Sequence, residues 1–287
     1  IAESNSMNEA AKKLFVSQPN LSATVREVEE ELGITVFMRN NRGITVTAEG
    51  EEFLGYAKQV VEQYHLLENR YLNVESKKKF SVSMQHYSFA VKAFVQLAKE
   101  VGMDEYEFAV HETKTKEVID NVKNLKSEIG VLYLSDFNEK VLRKLFKECD
   151  IEFKELFTCN TYVYLWKKHP LAGQKEITLD DLQEYPCLTF EQGVNNSFYY
   201  AEEMMSTYEY KRVIKADDRA TMLNLMVGLN GFTLCSGIIS EDLNGDDYAA
   251  IPLKESEKMH IGYIKHKGTK LSKLGEIYID ALKNYEN

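Results

Sequence analysis

Cysteine and proline are scarce in this chain, with four of each in 287 residues. Cys149, Cys159, Cys187 and Cys235 form no CxxC pair and have no cluster of histidines beside them. That excludes the usual spacing of a zinc site or a dithiol redox pair, and no metal is expected. Buried free thiols in a reducing cytoplasm are the expectation. A run of 18 apolar residues is also missing, so no membrane span is expected, and no basic start followed by an apolar stretch marks a signal peptide. Positive charge is not in excess either: the net charge is −10, which argues against a protein that coats nucleic acid non-specifically. GxSxG, P-loop and GxGxxG motifs and metal-spaced His/Asp sets do not occur, so nothing points to an enzyme or to a cofactor.

What is present is an ordinary globular composition, 44% apolar and 28% charged, in a length that suggests two or three domains. The opening "IAESNSM" reads as the end of an element, so the natural start is expected to lie upstream of Ile1.

The stretch "EAAKKLFVSQPNLSATVREVEEELG", residues 9–33, runs two helix-like patterns together with a proline between them. Proline is tolerated in the first turn of a helix, where backbone N–H groups lack partners. Ser17 is a good N-cap, so "SQP" predicts a helix start. Leu21, Val25, Val28 and Leu32 then make one buried stripe, and Ala10, Ala11 and Leu14 of the preceding helix, about Met7 to Leu14, supply the facing side. Two short helices joined through Phe15-Val16 describe a helix-turn-helix. Gln18, Ser22 and Arg26 are hydrogen-bonding types suited to base edges and phosphates. Glu27, Glu29, Glu30 and Glu31 would be repelled by phosphates, so the helix should enter a groove by its N-terminal half. The same periodicity also fits a plain helical hairpin with a polar face.

Gly33 ends the second helix. Val36-Phe37 and Ile44-Thr45-Val46 are β-prone, and "NNRG" between them is turn chemistry, giving a two-stranded wing with Arg39 and Arg42 near its tip. Across 1–47, Lys12, Lys13, Arg26, Arg39 and Arg42 stand against Glu3, Glu9, Glu27, Glu29, Glu30 and Glu31. Affinity for DNA would therefore come from local placement.

These residues resemble the N-terminal signature of the LysR-type transcriptional regulators almost position by position: the AA pair, the SQP helix start, LS, "VEEELG", an F-x-R after the helix, and "TAEG" opening the next one. The resemblance implies that side chains at the start of the second helix meet bases: Ser17, Gln18, Pro19, Asn20 and Ser22, with Arg39 and Arg42 from the wing. Many members carry a basic or amide residue after the LS serine. Here it is Ala23, and Thr24 and Arg26 are candidates to take over its contact.

From Thr47 onward, Phe53, Ala57, Val60, Tyr64, Leu67, Tyr71 and Val74 fall at alternating spacings of 4 and 3, a heptad seam. A connector of this kind predicts a partner helix, hence a homodimer reading two half-sites of an inverted repeat in double-stranded DNA. Packing against its own domain is the alternative. Ser76-Lys77-Lys78-Lys79 reads as a polar hinge.

Beyond Phe80, strand and helix patterns alternate with short links, which predicts α/β sheets in two lobes with a cleft between them. "FYYAEEMMSTY" reads as one of the helices. The cues "HPLA" at 169–172 and "GLNGF" at 228–232 resemble the same family, whose effector domain is similar to a periplasmic solute-binding protein. The chain is expected to be an α+β multi-domain protein: a winged helix-turn-helix (1–47), a dimerising linker helix (48–76), effector lobe I (80–160 and 256–287) and lobe II (161–255). Ligands of open α/β sheets sit beyond the carboxyl ends of strands, where helix N-termini favour anions. That places Gln85, His86, Tyr87, Ser88, Thr113, Thr189, Phe190, Asn196, Arg219 and Thr221 around a small-molecule effector, an anion by this argument. Ser88, Thr113, Thr189 and Asn196 are the expected pocket donors, and His86 or Arg219 a charge partner. Each hydroxyl or amide would serve equally well as a plain helix cap. The reading is a cytoplasmic dimeric or tetrameric regulator whose effector changes its geometry on DNA. An enzyme or a solute-binding module without a DNA role is the alternative.

Overall fold

The computed structural model describes residues 1–2, 4, 6–40, 43–71, 77–102, 105–194 and 197–285 and divides into two units, Ile1–Ser76 and Lys77–Asn287. In the first unit α1 (Met7–Lys13) begins at Ser6, whose hydroxyl accepts the Glu9 N–H, and it buries Met7, Ala10 and Ala11. In α2 (Gln18–Leu32) Ser17 is the N-cap, accepting the Asn20 N–H at 3.4 Å. Pro19 sits in the first turn, and Gly33 closes the helix at φ 66°, a left-handed conformation that glycine adopts without strain. The predicted apolar stripe is only partly covered. Leu21, Val25 and Val28 are half-buried, while Leu14 and Leu32 are 56% and 49% exposed. The cause for Leu14 is local: α1 stops at Lys13, and Phe15, at φ 55° and almost fully exposed, turns the link outward.

The wing is a hairpin of β1 (Phe37–Asn40) and β2 (Gly43–Val46), with Arg39 opposite Ile44. Glu29, expected on the solvated face of α2, instead accepts the N–H groups of Val36 at 2.7 Å and Phe37 at 3.0 Å and so fastens the helix to the wing. Thr47 donates its N–H to Val36 O and accepts the Gly50 N–H at 2.8 Å, starting α3 (Ala48–Tyr71). A Cβ at Gly50 would lie 2.3 Å from Val36 O, so the helix approaches that backbone as only glycine allows. Along α3, Val60, Tyr64 and Leu67 are 58–69% exposed. Val74 of the predicted seam lies outside the described residues.

The second unit begins with β3 (Lys78–Met84), α4 (Ser88–Val101), β4 (Tyr106–Glu112), α5 (Thr115–Lys123), β5 (Ile129–Leu134), α6 (Glu139–Glu148) and β6 (Ile151–Cys159). It ends with β12 (Met259–His266) and α9 (Lys273–Lys283). These strands form one five-stranded sheet in the order β4-β3-β5-β12-β6, parallel from β4 to β5 and antiparallel through β12. Every residue of β5 is buried, the mark of a strand covered on both faces. Ile129, Val131 and Tyr133 pack with Phe89, Leu97 and Tyr278 of α4 and α9. Leu132 and Leu134 pack with Val118, Ile119 and Leu142 of α5 and α6.

Between β6 and β12 the chain builds a smaller set: β7 (Tyr162–Trp166), β8 (Cys187–Phe190), β9 (Val213–Ala216), α7 (Arg219–Leu229), β10 (Thr233–Cys235), α8 (Glu241–Asn244) and β11 (Tyr248–Pro252). β10, β7 and β11 are antiparallel, β8 and β9 parallel, and a Cys187–Phe232 bridge links the two pairings. The "HPLA" and "GLNGF" cues meet in one joint. Buried His169 accepts the Leu171 N–H at Nδ1 and therefore donates from Nε2 to Asn230 O at 3.0 Å. Trp166 Nε1 donates to Asn230 Oδ1 at 2.9 Å, and Asn230 is the left-handed cap of α7.

"FYYAEEMMSTY" is not the predicted helix. It holds a three-residue 3₁₀ turn, Phe198–Tyr200, followed by turns with Met205 at φ 54°. Tertiary hydrogen bonds replace helical ones there: Thr115 Oγ1 donates to Tyr200 O at 2.7 Å and Tyr133 Oη to Ala201 O at 3.1 Å.

Candidate functional site

The first unit offers a polar surface at the start of α2. Ser17, Pro19, Asn20, Thr24 and Arg26 are exposed, and Gln18 and Ser22 half-buried. Gln18 Nε2 donates to Ser22 Oγ at 2.7 Å, so these two side chains are held together by a helix-spaced bond. Thr24 Oγ1 donates to Asn20 O at 3.1 Å. Arg26 reaches Glu30 only at 3.9 Å with both side chains more than 70% exposed, a pairing that water weakens to little. Arg39 lies on β1, and Arg42 is outside the described residues.

The second unit holds a cavity between the five-stranded sheet and the smaller set of strands, about 730 Å³ including the part open to solvent. Five of the predicted residues line it: His86, Tyr87, Ser88, Phe190 and Arg219. His86 follows β3, Ser88 opens α4, Phe190 ends β8 and Arg219 opens α7. The His86 ring stacks on Phe190 with centroids 3.6 Å apart and planes 5° from parallel. Arg219 is engaged with Glu112 at the end of β4.

Four other predicted residues do not line the cavity, and the reason differs for each. Gln85 is turned into the protein: its Nε2 donates to Thr115 Oγ1 at 2.6 Å, and its Oε1 accepts from Tyr87 Oη and the Tyr133 N–H. Thr113 donates its hydroxyl to Glu117. Thr221 caps α7 with Asp218, donating its N–H and its hydroxyl, which hold the Asp218 carboxyl below its usual range. Thr189 pairs with Lys215 in the β8–β9 ladder and sits one residue from the lining Phe190. Asn196 lies outside the described residues.

Among the lining residues that were not expected from sequence are two carboxyl groups, Glu202 and Glu203, each 6% exposed. Glu202 Oε2 accepts the His86 backbone N–H at 2.9 Å and lies 2.7 Å from His86 Nδ1, while its Oε1 accepts from Gln192 at 2.9 Å. A carboxylate oxygen only accepts, so Nδ1 carries the hydrogen. Glu203 Oε1 accepts the Phe190 N–H at 2.8 Å. Burial first, and the neighbouring Glu202 second, push the Glu203 carboxyl up to about 8. Thr233 Oγ1 is buried in the same lining with no hydrogen-bond partner among the described residues. Met222, Leu234 and Met259 make much of the rest apolar.

Both units match family models: residues 1–51 match a bacterial regulatory helix-turn-helix protein of the lysR family, and residues 103–286 match the LysR substrate binding domain. The chain is 26% identical over its whole length to the HTH-type transcriptional regulator CysL of Bacillus subtilis, covering 95% of that protein. It is 21% identical over its whole length to TdcA of Escherichia coli, covering 90% of it. Among solved structures, a full-length OxyR variant from Pseudomonas aeruginosa shares the fold, with a TM-score of 0.68 at 17% identity over 97% of this chain and 90% of that one. A wing-bearing helix-turn-helix, an α/β unit matching the LysR substrate binding domain and these relatives have one reading: the chain belongs to the LysR family of DNA-binding transcriptional regulators.

Proposed function

We propose that this regulator reads an inverted-repeat operator with the N-terminal half of α2, pairs with a second copy along α3, and changes its DNA geometry when a small molecule occupies the cavity of the second unit. The observation that carries the reading is the start of α2. Its cap is satisfied by Ser17, its readers Gln18 and Ser22 are hydrogen-bonded to each other, and Asn20, Thr24 and Arg26 are exposed around them. Side chains of these types at a helix N-terminus suit base edges and phosphates, while Glu27, Glu30 and Glu31 further along would be repelled. The wing supplies Arg39 and Arg42 for backbone or minor-groove contact. The exposed stripe Val60, Tyr64 and Leu67 supports the helix pairing, and tetramers would add contacts between second units. A cytoplasmic place fits this work. A mobility-shift titration with DNA upstream of the protein's own gene tests it. A shifted band that survives excess scrambled duplex and forms at two-fold-related half-sites is expected; equal competition by scrambled duplex would overturn it.

A further inference from the structure

We propose that the cavity of the second unit takes a small organic cation, an ammonium group on an apolar body, and not the anion that the helix ends suggest from sequence. The inference rests on reading this cavity as the effector site and names the charge of what enters it. The position an anion would use is already filled by the protein. At the entrance to α4, Glu202 accepts both the backbone N–H and the ring N–H of His86. The other candidate cation, Arg219, is engaged with Glu112. The first turns of α4 and α7, with Ser88 and Arg219 in the lining, are the features that favour negative charge. A helix N-terminus carries about half a unit charge, set here against two carboxyl groups.

Glu203 is the group that a ligand can answer. It lines the cavity beside Glu202, is buried, and takes backbone N–H groups, that of Phe190 at 2.8 Å and those of Glu202 and Glu203, as its hydrogen bonds, with no side-chain cation among them. Pushed up to about 8, it holds its proton at neutral pH. An arriving ammonium would let Glu203 release that proton to solvent and keep the negative charge, so one positive charge replaces another. An arriving carboxylate would be set against Glu202 with His86 and Arg219 already engaged. The unpartnered hydroxyl of buried Thr233 lies in the same lining. It is an independent sign of a missing partner, and an ammonium, with three donors and no acceptor, matches a hydroxyl oxygen and a carboxylate together. Phe190, Met222, Leu234 and Met259 offer the apolar body its contact.

The test uses two probes with the same phenethyl body and opposite charge, phenethylamine and 3-phenylpropionate, titrated calorimetrically into the full chain at pH 7.5. The amine should bind at least about tenfold more tightly than the acid (1.4 kcal/mol). It should also release protons on binding, read as a heat that depends on the buffer's ionisation enthalpy. Glu203→Gln should abolish the proton release and weaken the amine at least about tenfold, and Thr233→Val should weaken it without removing the proton release. Tighter binding of the acid, or amine binding unchanged in Glu203→Gln, overturns the charge assignment and leaves an effector cavity standing. No binding of either probe also overturns the assignment, while the mobility shift decides the DNA reading independently.

Discussion

Glu203 is held in a state that an exposed glutamate would not adopt. Its folded pKa of about 8 lies above the value near 4.3 of an unfolded chain. Between those values the native protein binds the extra proton, so this group's contribution is full at acid pH and is lost as pH rises through the window. Glu202, Tyr87, Tyr133, Cys187 and Tyr210 are among the titratable groups that interact with it. Burial raises the three tyrosines and the thiol, which keeps them neutral throughout the window. Glu203→Gln should therefore be more stable than the parent at pH 8, by about 5 kcal/mol, and should converge with it near pH 4. Urea unfolding at the two pH values reads this directly, and parallel pH profiles would show an ordinary carboxylate. This residue was not legible in the sequence. "AEEMM" reads as the solvated face of a helix, and what buries Glu202 is His86, 116 residues away. Ser17, Pro19 and Gly33 were legible because their roles are decided by neighbours within a turn. Glu29 falls between: a carboxylate among three others looks like solvent-facing charge until the wing folds back onto it.

At the scale of elements, the first unit hangs on how closely α3 meets the strand entering the wing. Gly50→Ala would place a methyl carbon 2.3 Å from Val36 O, a backbone atom that already accepts the Thr47 N–H. Overpacking against backbone costs about 1–3 kcal/mol. Hydrogen exchange across residues 36–50 should quicken, with the five-stranded sheet unaffected. Unchanged protection there would mean that the approach has slack. Further along α3, Val60, Tyr64 and Leu67 present an apolar stripe with a heptad's spacing. Val60→Glu with Leu67→Glu should turn a dimer into a monomer in sedimentation without loss of helix content. A dimer that persists would place the pairing elsewhere. The heptad was visible from sequence because its period is local. The failed helix at 198–208 was not, because hydroxyls of Thr115 and Tyr133 take its carbonyls.

For the molecule as a whole, a ligand regulates by favouring one of two arrangements it binds unequally. In the second unit the five-stranded sheet with its helices is joined to the smaller set of strands by Arg219–Glu112, His86–Glu202 and Lys92–Asp242. A cation that draws on Glu203 would act beside one of these pairs, and its binding would then be coupled to how the two parts of the unit are held. The alternation of strands and helices made the α/β character legible from Phe80 onward. The cavity's charge was not, since it depends on which side chains already have partners. The central claim is that α2 reads bases, and its most direct measurement is the ratio of affinities for the operator and for scrambled duplex, by fluorescence anisotropy, for the parent chain, Gln18→Ala and Ser22→Ala. A bidentate base contact is worth about 1–3 kcal/mol, so operator binding should weaken roughly five- to hundredfold while scrambled binding stays level. Equal weakening on both duplexes would contradict the account.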